Sequence, residues 1–463
     1  MYLRNLFTLL CLALTLGAQA QDNPYRAYTR QLPFSMPEVA APVFPKKTVS
    51  LTRYGAKGDG KTLCTEAFSR AIDELSRQGG GRLSVPQGVW FTGPIVLKSH
   101  VDLHLEKGAV ILFSGDMDLY PVIETNYEGE LRKHCQSPVS AVGQTDIAIT
   151  GQGIIDGNGI CWRPLKKEKV TEGQWKKFTS KGGVFPRSTM WYPSEERVKM
   201  RPVLLYLESC RNVLLQGVTF QNSPNWCLHP LLCENLIVDQ VMVRNPAYAQ
   251  NGDAIDVESC RNVLVVNSSF DAGDDGICLK SGRDEQGRRR GRPTENVVVD
   301  GCTVFNGHGG FVVGSEMSGG VRNIWVNDCQ FLGTDAGLRF KSCRGRGGVV
   351  ENIYIRNISM ADILGDAVTF DLFYGGKSVI EQLESGERIN NIAAEPVGEG
   401  TPVFRNIDIQ HVVCRGAHRA LWFNGLPEMP ISDIRLSDIT IQADEPGDFF
   451  NCKNITKKNV VVE

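Results

Sequence analysis

Three observations predict an all-β chain folded as a right-handed parallel β-helix. The first is a motif of Asn or Asp followed by alternating β-branched residues, seen as RNVLLQGVTF, ENLIVDQVMV, RNVLVVNSSF, ENVVVDGCTV, RNIWVNDCQF, ENIYIRNISM, RNIDIQHVVC and SDIRLSDITI. Its leading residue stands at 212, 235, 262, 296, 323, 352, 406 and 433, giving steps of 23, 27, 34, 27, 29, 54 and 27. Such periods mark stacked units rather than independent domains. The second is the period-two alternation inside each repeat, which predicts short strands with one face turned to a core. The third is the near absence of helical patterning after residue 80, which argues against helix-bearing repeats. No single coil buries its own apolar face, so stacking must close the core, with turn Asn side chains bonding the next coil. The step of 54 is twice 27, so the interval from 352 to 406 holds either a coil without the signature or an insertion around 376–400.

Taken from the N-terminus, Arg4, an apolar run from Leu6 to Leu16, and Ala18-Gln19-Ala20 predict a secretory signal peptide over 1–20, hence a secreted or periplasmic protein. The run is too short to span a bilayer and nothing comparable follows. Residues 21–47 form an extended lead, and 48–463 a single β-helix catalytic domain. Within it, Ala67, Ile72 and Leu75 give residues 64–78 a helical spacing that Gly79, Gly80 and Gly81 stop. That helix should cover the open end of the solenoid, where core and strand edges would otherwise meet water. Residues 160–200 are weakly patterned and rich in Lys, Trp and Tyr, and are read as an Ω-like loop over one face.

Lys and Arg number 50 against 52 Asp and Glu, a formal charge of −2. That balance offers no general attraction for nucleic acid or membrane, so affinity for an acidic ligand must come from a local cluster. Of 14 cysteines, Cys11 lies in the leader, leaving an odd 13. Cys210 and Cys260 share the string ESCRNV, and residues stacked in parallel strands have parallel Cβ vectors that suit a disulfide poorly. Reduced, buried thiols are expected. With no close Cys/His quartet, no metal and no cofactor is expected, and the chain is read as a monomer.

Four segments leave the repeat pattern: NGDAIDVES (251–259), AGDDGICLKS (272–281), NGHGGFVVGSE (306–316) and GLRFKS (337–342). Asp253 to Asp274 is 21 residues, Asp275 to His308 is 33 and His308 to Arg339 is 31, each about one coil, so the side chains should stack on one exterior face. Neighbouring strands lie about 4.8 Å apart, which brings the carboxylates Asp253, Asp274 and Asp275 together. Three clustered carboxylates cannot all ionise freely, so at least one keeps a proton and serves as general acid beside ionised bases, the pair that glycosidic cleavage needs. Arg339 and Lys341, two apart on a strand, face one way and suit a uronate carboxylate. His308, between glycines, can tune the acid or bind substrate. Taken singly, each motif also fits a turn or a solvated strand, and the weight lies in their joint occurrence.

With these residues in place, the chain resembles the polygalacturonase family, glycoside hydrolase family 28. The matches are Asn251-Gly252-Asp253, Asp274-Asp275, Gly307-His308-Gly309 and Arg339-Phe340-Lys341, in family order, with YGAKGDGKT and LHLEKGA upstream. The resemblance implies an inverting hydrolase of α-1,4-galacturonosyl links in pectin. It makes Asp274 the general acid, Asp253 and Asp275 the holders of the attacking water, and His308 the support of the acid. It also gives Asn251, Arg339, Lys341 and, in FDLFYGG, Tyr374 to substrate binding. Gly252 departs from the commoner threonine. The insertions at 160–200 and 376–400 and the basic stretch 283–293 resemble the exo-acting members, where long walls close one end of a groove. A rhamnogalacturonan-directed hydrolase and a noncatalytic glycan-binding β-helix are the alternatives.

Overall fold

A computed structural model describes residues 23–377, 379–385 and 393–463. The expected signal peptide at 1–20 lies outside the described residues. Parallel strands stack in three columns to form a right-handed parallel β-helix. One column runs from Thr48–Ser50 through Arg211–Gln216, Glu234–Asp239 and Arg261–Val266 to Cys452–Val462. A second contains Gly88–Thr92, Thr219–Gln221, Met242–Arg244 and Ser269–Asp271. The third carries Leu205–Glu208, Leu228–Leu231, Ile255–Glu258, Asp275–Lys280, Gly309–Val313 and Ala336–Lys341 in unbroken succession.

The repeated Asn is the register device of the first column. Asn212, Asn235, Asn262, Asn296, Asn323, Asn352 and Asn406 all have φ between 51° and 57°, the left-handed region that Asn tolerates better than other residues bearing a Cβ. From Asn235 onward each donates its side-chain amide to Oδ1 of the Asn one coil earlier, from Asn235 to Asn212 at 3.1 Å through Asn406 to Asn352 at 2.6 Å, and Asn212 donates to Asp146 Oδ1 at 2.9 Å. The last of these bonds resolves the 54-residue step: Val349 pairs directly with Val403, so 352 to 406 is one coil with an insertion.

Alternation fills the interior. Beneath the third column Phe311, Phe340, Phe370, Phe423 and Phe449 form a ladder, with Phe340 and Phe370 stacked at 4.2 Å. Their neighbours in sequence necessarily point outward, which places Arg339 and Lys341 on the outer face. The helix Thr65–Arg77 buries Ala67, Phe68, Ala71, Ile72 and Leu75 against the first coils. The lead segment packs Tyr25 and Val39 on the outside of the first column against Leu214, Ile237 and Leu264. The thirteen described cysteines are all free thiols, and ten are buried.

The segment 160–200 departs from the loop expected. It holds the helices Glu172–Thr179 and Glu195–Met200 and a three-stranded sheet of Leu165–Lys166, Met190–Tyr192 and Val184–Arg187. Leu165, Trp175, Phe178 and Trp191 give it a small core of its own. The basic stretch is also ordered: Asp284–Arg290 is a helix whose Arg290 reaches the fully buried Glu258. Among the described residues no helix is long and apolar enough to cross a membrane.

Candidate active site

The four motif segments converge where the chain turns into the third column. Asp253 and Asp274 lie just before strands Ile255–Glu258 and Asp275–Lys280, His308 just before Gly309–Val313, and Arg339 and Lys341 within Ala336–Lys341. One carboxylate oxygen from each of Asp253, Asp274 and Asp275 lies within 4.8 Å of the others. Glycine permits the close approach: a Cβ on Gly307 would sit 2.3 Å from the Asp274 carbonyl, and the His308 amide donates to that same oxygen at 2.7 Å. Gly252 is equally constrained, since a Cβ there would meet that of Ala249 at 2.7 Å.

The placement corrects one expectation. These side chains leave the outer face of the coil, yet Asp253 and Asp275 are only 3% and 1% exposed, and Arg339 and Lys341 are as deeply buried. They form the floor of a cleft walled by the two insertions on one side and by the turns that carry Glu128, Arg283, Glu316 and Arg346 on the other. One half, of about 330 Å³, is bounded by Lys166, His308, Lys377 and Glu381, and the other, of about 430 Å³, by Glu128, Arg283, Glu316 and Arg346. Asn251, Asp274 and Tyr374 border both halves.

Electrostatics set the groups in different surroundings. Lys341 Nζ donates to Asp275 Oδ2 at 2.6 Å and Arg339 Nη1 to Oδ1 at 3.4 Å, so both oxygens of Asp275 face a cation. Both cations lie beside the Tyr374 ring, Arg339 at 5.5 Å and Lys341 at 5.0 Å from its centroid. Burial would lower the Lys341 pKa, but Asp275 and Tyr374 together outweigh it and hold the ammonium well above its ordinary range. Such a pair repels a divalent ion, so the three carboxylates, though close enough together for a metal, suit one poorly.

Asp274 accepts from His308 Nδ1 at 3.0 Å. Burial raises its pKa, but a charged His308 with its hydrogen bond, then Lys341 and Lys169, together carry it below the carboxylate range. Asp253 goes the other way: burial first, then the charges of Asp256 and Asp274, push it well up. The raised pKa expected of one clustered carboxylate therefore falls on Asp253 and not on Asp274, the residue that the resemblance makes the general acid.

Asp256 is a residue that sequence reasoning passed over. It is fully buried, its carboxyl is in hydrogen-bond contact with that of Asp253, and no donor among the described residues reaches either of its oxygens. Lys280 Nζ stands 3.6 Å away. Burial drives the Asp256 pKa well up against the pull of Lys280, which favours a proton on the Asp253–Asp256 pair. The outward alternation of Asp256 and Glu258 in NGDAIDVES was the available signal. Arg201, Lys169 and Glu128 carried none. Arg201, on which the insertion ends, donates to Asn251 Oδ1 at 2.6 Å and to the Gln250 carbonyl, so Asn251 faces the cleft with its side-chain oxygen already engaged.

Carboxylates whose pKa values are pushed in opposite directions beside fixed cations, on the floor of a cleft in a β-helix, define a glycoside hydrolase of the acid/base type. Residues 78–461 match the model of glycosyl hydrolases family 28. The chain belongs to that family. It is 30% identical over 409 residues to a probable polygalacturonase of Vitis vinifera, covering 85% of this chain and 74% of that protein. It is 32% identical to an exo-poly-alpha-D-galacturonosidase of Dickeya chrysanthemi over 71% of this chain and 57% of that one. The crystal structure of a hyperthermoactive exopolygalacturonase from Thermotoga maritima superposes with a TM-score of 0.76 at 33% identity, covering 92% and 94% of the two chains.

Proposed function

We propose that the protein is an exo-acting polygalacturonase that releases galacturonate from chain ends of pectin by an inverting mechanism. The observation that carries exo action is the Lys166–Glu381 ion pair at 3.2 Å. Lys166 belongs to the 160–200 insertion and Glu381 to the helix Val379–Ser385 in the second insertion, so the two walls meet beside His308 and close that half of the cleft to a continuing polymer. The named exo-acting relatives point the same way.

In the reaction, Arg339 and Lys341 bind the uronate carboxylate and Tyr374 packs on the sugar. Asp274 protonates the departing glycosidic oxygen, while Asp253 and Asp275 orient the water. His308 supports the acid. A covalent intermediate is the second reading, because near oxygens within 4.8 Å are closer than the roughly 6.5–9.5 Å usual for inverting carboxyl pairs. Proton NMR of the first-formed product separates them: the β-anomer means inversion and the α-anomer retention. Time-resolved sizing of products from a galacturonate oligomer tests exo action, with monomer from the earliest times as the expected result. Glu381→Ala should add longer early products, and a product ladder already present in the wild type would overturn the exo assignment. Parallel digestion of rhamnogalacturonan oligomers addresses the nearest rival substrate. The N-terminal 20 residues are proposed to direct export, and N-terminal sequencing of the mature protein checks cleavage after Ala20.

A further inference from the structure

We propose that Lys169 is the positioning residue that puts the catalytic proton on Asp274, by donating to Nε2 of His308 and so holding the imidazole neutral with its hydrogen on Nδ1. The inference rests on the reading of Asp274 as general acid. The geometry comes from two contacts on one ring: Lys169 Nζ lies 3.3 Å from Nε2, and Asp274 Oδ1 lies 3.0 Å from Nδ1. An ammonium has three donors and no acceptor, so a nitrogen that receives its hydrogen bond must offer a lone pair. Nε2 is then unprotonated, and Nδ1 carries the hydrogen and donates it to Asp274. The alternative state, an imidazolium beside an Asp274 carboxylate, would aim an N–H at the ammonium.

The two states differ by the place of one proton, on the Asp274 carboxyl or on Nε2 of His308. Only the first presents a carboxylic acid to the glycosidic oxygen. The charge of a protonated His308 is also the main force that draws the Asp274 pKa down against burial, and a neutral ring removes it, leaving only the weaker pulls of Lys341 and of Lys169 itself for burial to oppose.

Other groups facing His308 do not reverse the preference. Asp335 Oδ2, which would favour a charged ring, is 3.9 Å from Nε2, beyond hydrogen-bond reach, and burial raises its own pKa. Arg339 Nη1 lies 3.4 Å from the His308 carbonyl and adds positive charge, as does Lys377 across the same half of the cleft. Lys166 and Glu381 at that wall pair with each other.

Lys169 is also held in place in advance. It ends the short 3-10 turn Lys167–Lys169, which follows the strand Leu165–Lys166. The Lys167 amide bonds the Thr189 carbonyl at 2.8 Å, and Val170 packs on the insertion's own core. The insertion therefore contributes chemistry as well as a wall.

The test is nitrogen NMR of the full chain labelled at its 7 histidines, with the His308 signals assigned by their loss in His308→Gln. In the pH range of activity, wild type should show His308 as the neutral Nδ1–H tautomer. Lys169→Met should move it toward imidazolium and lower kcat on the order of 10-fold, a fraction of what a general acid contributes, with little change in KM. Lys169→Arg should restore both. An imidazolium in the wild type, or the same tautomer in wild type and Lys169→Met, would overturn the proposal. If instead the tautomer responds as stated and no galacturonide is cleaved, it is the proposed function that fails.

Discussion

The first and third strand columns are built from the same coils and obey opposite rules. Along the first, the coils from Asn212 to Asn406 repeat one another: an Asn in the left-handed region bonds the Asn of the coil before, and the inward residues are Val, Ile and Leu. Along the outer face of the third nothing repeats. Glu258 is followed one coil on by Lys280, and Asp253 lies beside Asp256 with no donor between them. The comparison teaches where stability is gathered and where it is given up. Repetition fixes register and closes the core, and the secured backbone then holds buried carboxyls at a cost a free-standing loop could not sustain.

The largest test of that division is Asp274→Asn. It should lower kcat by about 10²–10⁴-fold, the usual worth of a general acid, while the melting temperature stays close to wild type. A variant that melts far below wild type would place Asp274 among the structural groups instead. The reverse experiment is Asn296→Ala. It places a Cβ-bearing residue of poor tolerance at φ 56° and breaks the bonds to Asn262 and from Asn323. A loss of about 2–3 kcal/mol is expected from the strain of one residue and two hydrogen bonds, with kcat unchanged. Asn296→Gly keeps the conformation and should lose only the hydrogen-bond part, which denaturant unfolding can resolve.

The smallest effect, and the sharpest, concerns pH. Asp253 and Asp256 have pKa values raised in the folded chain above the ordinary 3.8. The native state therefore holds a proton that the unfolded chain releases. The resulting stabilisation is complete below 3.8 and is lost as pH rises through the raised values. Asp256→Asn supplies a permanent donor to Asp253 and should flatten this fall, so that the variant gains stability relative to wild type as pH increases. An unchanged slope in melting temperature against pH would show that the pair holds no shared proton.

These two columns also explain what was legible in the sequence. The Asn spacing and the β-branched alternation are local and repeated, so the coils and their phase could be read directly. The motifs at 251–253, 274–275, 307–309 and 339–341 could be placed because they interrupt that phase at coil-length intervals. The depth of the site was hidden, because Asp253 is covered by walls that carry Glu128 and Glu316, and Arg339 by the segment at Lys377, all more than a coil away in sequence. The 160–200 insertion read as a loop because its helices are eight and six residues long and its strands two to four, too short for periodicity to show. The partnership of Asp256 with Asp253 and the reach of Lys169 to His308 are purely spatial.

The direct pairing of Val349 with Val403, closed by the bond from Asn406 to Asn352, has a consequence for how such a molecule can change. The coil that carries the second wall spends 54 residues where its neighbours spend 27 or 29, yet it rejoins the stack in register. Doubling a flexible loop adds only about 0.6 kcal/mol to its closure entropy. Because each coil is fastened to the next by its own short-range bonds, a wall segment can lengthen or shorten with the carboxylate floor left in place. The borders of the cleft can then vary in length independently of the chemistry they enclose.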